Sequence, residues 1–220
     1  MTRLSDNYNF QKLCPDLAID WHPTKNGNLT PKDMMAGSCK KVWWVCSKGH
    51  EWQAIIRNRS SGAGCPFCAG RAVCEDNCLQ TINPILAIDW HPTKNGNLTP
   101  KDVIAGSYKK VWWVCYRGHE WEATINNRSQ GRSCPYCSGK KVCLDNCLKT
   151  INPKLAKEWH PTKNDTLTPR DVTPNSNKKV WWLCSKNKNH EWQATICHRN
   201  NDNGCPHCFK KKRKTKTQKI

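Results

Sequence analysis

A quartet of potential metal ligands, Cys-x3–5-His-x14-Cys-Pro-x-Cys, occurs three times in this chain of 220 residues. The copies are Cys46, His50, Cys65 and Cys68, then Cys115, His119, Cys134 and Cys137, 69 positions later. The third is Cys184, His190, Cys205 and Cys208, with two extra residues before the histidine. Three thiolates and one imidazole suit a closed tetrahedral Zn²⁺ site, because zinc is borderline soft and imposes no d-electron geometry. Four protein ligands leave no position for water or substrate, so three structural ions are expected. Self-similarity at a fixed period signals an array of small units. A unit of this size has a marginal apolar core and calls for a staple.

Sixteen cysteines could also mean a secreted disulfide scaffold. The opening residues MTRLSDNYNFQKLC carry no apolar stretch of a signal peptide, and no run approaches a membrane span. Seven cysteines, an odd number, remain outside the quartets. An intracellular, cytoplasmic location is therefore expected. Among the seven, Cys14, Cys39 and Cys197 do not recur between copies. Cys74/Cys78 and Cys143/Cys147 form Cys-x3-Cys pairs at the junctions, while Lys214 and Gln218 stand at the matching positions of the third copy. Buried thiols or metal ligands are both open readings for these pairs.

The second copy shows the local plan. Asn83-Pro84 opens a short helix with Leu86, Ala87 and Trp90 on one face, and Pro92 stops it. Thr99-Pro100-Lys101-Asp102 reads as a capping box. Lys109 to Cys115 (KKVWWVC) predicts a strand, and Trp121, Ala123 and Ile125 alternate along a return strand. The expected fold is a tandem of small zinc-stapled α+β units, each a β-hairpin with short helices. The boundaries are 1–70, 71–139 and 140–208, followed by a basic, disordered tail at 209–220.

At these residues the chain resembles a family of repeated zinc-finger domains of uncertain function, described as a treble-clef or zinc-ribbon domain. The matching motifs are P-x-LA-x-[DE]-WHPTKN, TP-[KR]-D, KKVWW-x-C, GHEW-x-A and CPxC, and they cover about Leu4 to Cys208. The resemblance implies zinc at the three quartets. The Asn-Lys-Asn insertion before His190 leaves only that turn's geometry in question. Some members resemble accessory parts of nuclease-containing proteins, which hints at DNA.

The formal charge of +19 favours a polyanionic partner. Lys40-Lys41, Lys109-Lys110 and Lys178-Lys179 precede tandem tryptophans in every unit, and Arg59, Arg128 and Arg199 recur near the end of the return strand. These nine residues are the candidate nucleic-acid contacts. One tryptophan of each tandem could be a stacking platform for single strands, or both could belong to the core. The arginines could meet phosphates or brace a loop. His22, His91 and His160, behind Asp20, Asp89 and Glu158, read as hydrogen-bonded structural histidines. Noncatalytic DNA binding leads, with a protein-interaction scaffold or an accessory module of a nuclease system as the alternative. An enzyme built on His198, Asn200 and His207 lacks a repeated site, because Tyr136 replaces the last in the second copy. Lys210 to Lys214 could act as a nuclear import signal in a eukaryotic or viral setting, or as a nonspecific nucleic-acid arm in a bacterium.

Overall fold

The structure is a computed structural model and describes residues 4–209. The basic tail expected at 209–220 lies, from Lys210 onward, outside the described residues. Each of the three repeats has one two-stranded antiparallel hairpin and short helices. The hairpins are β1 (Lys41–Val45) with β2 (Glu51–Ile55), β3 (Lys110–Val114) with β4 (Glu120–Thr124), and β5 (Lys179–Leu183) with β6 (Glu191–Thr195). The chain forms two compact units. One runs up to Trp113 and includes Glu122–Gln130; the other takes Val114–Trp121 and the described chain from Gly131 onward.

In the first unit, Asn9 caps helix Phe10–Leu13 by accepting from the Lys12 amide at 3.1 Å, and Pro15 opens a second helix, Pro15–Ala18. Thr30 and Asp33 close a capping box around a 3-10 turn. Strand alternation then sorts the hairpin. Val42 faces Ala54 and Trp44 faces Trp52, turning these side chains inward, whereas Lys41, Trp43 and Gln53 share the outer face. Trp44 is wholly buried, edge-on to Trp21 at 5.4 Å and to Phe10 at 5.6 Å, and its indole N–H donates to the Ala54 carbonyl. Such large rings fill a core too small for many aliphatic layers.

The WHPTKN segment lies along the free edge of β1. Val45 donates to the Asp20 carbonyl, and His22 to that of Trp43. The Asn26 amide accepts from the Trp43 N–H at 2.8 Å and donates to its carbonyl at 2.9 Å, completing the edge like a strand residue. The second repeat begins in the same unit with helices Leu79–Ile82 and Pro84–Ile88. Asn83 accepts from the Leu86 amide at 3.0 Å as expected of its cap. Leu79 is buried and donates to the Val103 carbonyl at 2.7 Å, so the segment after the first knuckle packs with the second repeat.

In the second unit, the third repeat buries Leu148, Leu155, Val172, Val180, Trp182, Trp192 and Ile196 in one cluster. Trp182 repeats the edge-on contact with Trp159 and the bond to the Ala194 carbonyl.

The return strand is shorter than its alternation predicts. It stops at Ile55, Thr124 and Thr195, and helices Ile56–Ser60, Ile125–Ser129 and Ile196–Asn200 follow. Thr124 and Thr195 hydroxyls accept from the Asn127 and His198 amides, so side-chain capping ends those two strands where alternation alone would continue. Arg59, Arg128 and Arg199 therefore sit in helices.

Candidate metal centres and the basic hairpin face

The first ligand pair of each centre straddles a hairpin turn. Cys46 directly follows β1, its amide donates to the His50 carbonyl at 3.0 Å, and Gly49 folds back to the Cys46 carbonyl at 2.8 Å. Gly49 has φ of +80°, a left-handed conformation that favours glycine. In the third repeat the insertion lengthens the turn without opening it, since the Cys184 amide still meets the His190 carbonyl at 3.0 Å. The Cys65-Pro66-Phe67-Cys68 turn supplies the other two sulfurs.

His50 Nδ1 lies 3.4, 3.7 and 3.3 Å from the sulfurs of Cys46, Cys65 and Cys68, and Cys46 and Cys68 are 3.7 Å apart. In the second centre, His119 Nδ1 lies 3.5, 3.6 and 3.3 Å from Cys115, Cys134 and Cys137. In the third, His190 Nδ1 is 3.5 Å from Cys205 and 3.4 Å from Cys208, with Cys184 3.7 Å from Cys208. A tetrahedron with Zn–S near 2.3 Å and Zn–N near 2.0 Å has edges of about 3.5–3.8 Å. The donor sets fit zinc in both geometry and softness.

The thiols also show why a cation is needed. Desolvation works against charge on Cys46, yet backbone hydrogen bonds at Lys48 and His50 bring it down to about 7. Desolvation, then the crowding of Cys46 and Cys65, pushes Cys68 up to about 11. The same causes push Cys137 up to about 12 and Cys208 up to about 11. Three thiolates cannot share so small a space without a compensating cation.

Two features around the quartets recur in the sequence but are not singled out by its ligand pattern. The variable residue of each CPxC turn lays a ring against the ligand histidine, with Phe67, Tyr136 and His207 at 5.3, 5.3 and 5.1 Å between centroids. Asp76 and Asp145 approach the outer nitrogen Nε2 of His50 and His119, at 3.1 and 3.0 Å. A carboxylate accepting from this N–H fixes the tautomer that presents Nδ1 to the metal. In the third repeat the side-chain nitrogen of Asn187, a donor, lies 3.3 Å from His190 Nε2 instead of a carboxylate.

Residues 17–71, 86–140 and 155–211 each match the model of one family, described as a probable treble clef zinc finger domain. The chain belongs to that family. Its three Cys3His clusters are the zinc centres of three treble-clef units. Over 104 residues the chain is also 27% identical to a protein of Escherichia phage T5 named "Putative endonuclease". That match covers 46% of this chain and 32% of the phage protein, so the chain spans about a third of that relative's length. Among the described residues, no helix is long and apolar enough to cross a membrane.

The six candidate lysines, Lys40, Lys41, Lys109, Lys110, Lys178 and Lys179, are all exposed at the start of the hairpins. The candidate arginines are not. Arg59, Arg128 and Arg199 are buried and paired with Asp20, Asp89 and Glu158. The Arg59 guanidinium lies over Trp44 and Trp52, at 5.2 and 5.4 Å. A side chain held between indoles and a carboxylate cannot reach a phosphate, so these three are internal braces and the expected contacts are corrected accordingly. The acid just before the WHPTKN segment, Asp20, thus serves the arginine, while His22 stays buried. His22 Nδ1 accepts from the Thr24 and Lys25 amides, and its Nε2 lies 2.9 Å from Glu51.

The tandem tryptophans divide as strand alternation requires. Trp44, Trp113 and Trp182 are core, whereas Trp43, Trp112 and Trp181 are half-buried on the outer face. Lys25, Lys94 and Lys163 reach over these outer rings, with Nζ 4.8, 4.6 and 4.9 Å from the centroids. Cys78 and Cys147 are buried at the starts of the junction helices, and Cys74 and Cys143 lie beside the ligand histidines.

Proposed function

We propose that this chain is a noncatalytic nucleic-acid-binding array whose preferred partner is DNA, held mainly through phosphates. The supporting observation is the outer hairpin face, where exposed lysines stand beside a half-buried tryptophan already covered by a lysine ammonium. A lysine lying on the indole competes with base stacking, so the face suits backbone contact better than single-strand stacking. Three weakly binding units in series gain affinity from effective concentration. We take the units as 1–70, 71–139 and 140–208, each carrying one such face.

Titration of labelled duplex and single-stranded oligonucleotides across ionic strength tests this reading. Affinity should fall steeply with salt. Lys40→Ala with Lys41→Ala should weaken binding and flatten the slope by about 0.9 for each phosphate that is no longer neutralised. Affinity indifferent to salt would overturn it. A second reading, an accessory module within a nuclease system, is favoured by the name of the phage relative. It predicts a protein partner retained after nuclease treatment in high salt.

A further inference from the structure

We propose a second cation site beside each of the first two zinc quartets, built on the outer nitrogen of the zinc-ligand histidine. His50 turns Nδ1 to the quartet and Nε2 to Cys74 and Asp76, which lie 3.5 and 3.1 Å from that nitrogen. His119 does the same with Cys143 at 3.6 Å and Asp145 at 3.0 Å. One nitrogen, one sulfur and one carboxylate oxygen thus converge at each place, and the donor atoms of each group lie within 4.8 Å of one another. A tetrahedral zinc with ordinary bond lengths needs N···S and N···O separations of about 3.4–3.6 Å. The sulfurs already stand at that spacing and the carboxylates lie a few tenths of an ångström inside it, while Asp145 Oδ1, 2.6 Å from Cys143 Sγ, must also swing away from that sulfur by about 1 Å.

The loop presenting these donors is braced independently of them. The Cys74 amide donates to the Asn77 side chain at 2.8 Å, and Asn77 Nδ2 donates to the Phe67 and Ala72 carbonyls, both at 2.8 Å. Asn146 repeats this with the Cys143 amide and the Tyr136 and Lys141 carbonyls, at 2.8, 2.7 and 2.8 Å. The same asparagine thus sets the loop in both repeats, with cysteine and aspartate in fixed positions around it. Asp76 and Asp145 are well exposed on their outer sides, which leaves room for a water or another ligand in the fourth position.

Charge favours a cation there. A zinc with three thiolates carries a net negative charge, and the adjacent carboxylate adds another. Binding a second Zn²⁺ would displace the Nε2 proton and the cysteine thiol proton, so the imidazole ring bridges two metals. Two protons are released, and nothing is oxidised or reduced. Without the second ion, Nε2–H donates to the carboxylate. The third repeat lacks the donors in sequence, with Lys214 and Lys216 at the positions matching Cys74 and Asp76, and Asn187 lies 3.3 Å from the outer nitrogen of His190.

Equilibrium dialysis of the full chain against Zn²⁺ and Co²⁺ at mildly alkaline pH, with metal counted per chain, tests the assignment. We expect three tightly held ions and two weaker ones, the last two adding sulfur-to-cobalt charge-transfer absorbance. The double variant Cys74→Ser with Cys143→Ser should hold three, and that retention also reports that its quartets are folded. Cys78→Ser with Cys147→Ser should still hold five, as should Lys40→Ala with Lys41→Ala. Saturation of the wild-type chain at three ions would overturn the proposal, as would five ions in the Cys74/Cys143 variant.

Discussion

At the scale of single residues, the side chains around each zinc-ligand histidine set how well it binds. Asp76 holds the outer nitrogen of His50 at 3.1 Å, and loss of such a partner typically weakens metal binding about 10–100-fold. Asp76→Ala should therefore lower zinc affinity at the first centre by that factor, as measured by competition with a chromophoric chelator. The third centre should be unaffected, since its histidine faces Asn187. Arg59 offers a second residue-level test. It is buried over two indoles and paired with Asp20, so Arg59→Ala leaves a carboxylate without its partner and removes packing. A loss of about 3 kcal/mol in denaturant unfolding is expected. The salt dependence of nucleic-acid binding should remain that of the wild type if the arginine is an internal brace.

At the scale of elements, the two knuckles form one centre only when protons leave it. The metal-free thiols of Cys68 and Cys208 stand at about 11 and that of Cys137 at about 12, so at neutral pH these sulfurs are protonated until zinc arrives. Zinc binding must displace those protons, and lowering the pH favours the metal-free form. Apparent affinity should rise with pH by about tenfold per unit for each proton displaced, the Cys46 contribution flattening above about 7 and those of Cys68, Cys137 and Cys208 only towards their raised values. Isothermal titration in buffers of different ionisation enthalpy would count the protons, and a pH-independent affinity would contradict the scheme.

The same elements show what periodicity conveys and where it stops. The ligand quartets, the Asn83 cap, the capping box and the KKVWW strands are legible in the sequence because each depends on local chemistry at fixed spacing. The helices after the return strands are not. INNRS carries no helical stripe, and its start rests on the Thr124 hydroxyl and on Ile125 and Arg128 packing inward. The role of Asp76 is hidden for a related reason. Its Cys-x-Asp-Asn-Cys motif recurs in the sequence, but at the head of the following repeat, and only folding returns it to His50, 26 residues back.

At the scale of the whole molecule, the metal and the basic faces are coupled, because each hairpin that displays lysines is closed by its own centre. Chelation should unfold the repeats and abolish oligonucleotide binding together, seen as loss of near-ultraviolet tryptophan dichroism alongside loss of anisotropy. The three faces are not equal in charge. In the middle repeat Lys110 pairs with Glu122 at 3.1 Å, whereas glutamines, Gln53 and Gln193, hold the matching positions in the other two. An exposed pair of this kind contributes at most about 1 kcal/mol, so freeing the lysine should change affinity by only about twofold to fivefold. Its signature should be clearer in the salt dependence, where each lysine that neutralises one more phosphate steepens the slope by about 0.9. Glu122→Gln should therefore strengthen duplex binding at low salt and steepen the slope. Gln53→Glu or Gln193→Glu should do the reverse. Equal slopes in all four proteins would mean that the outer hairpin faces do not carry the contact.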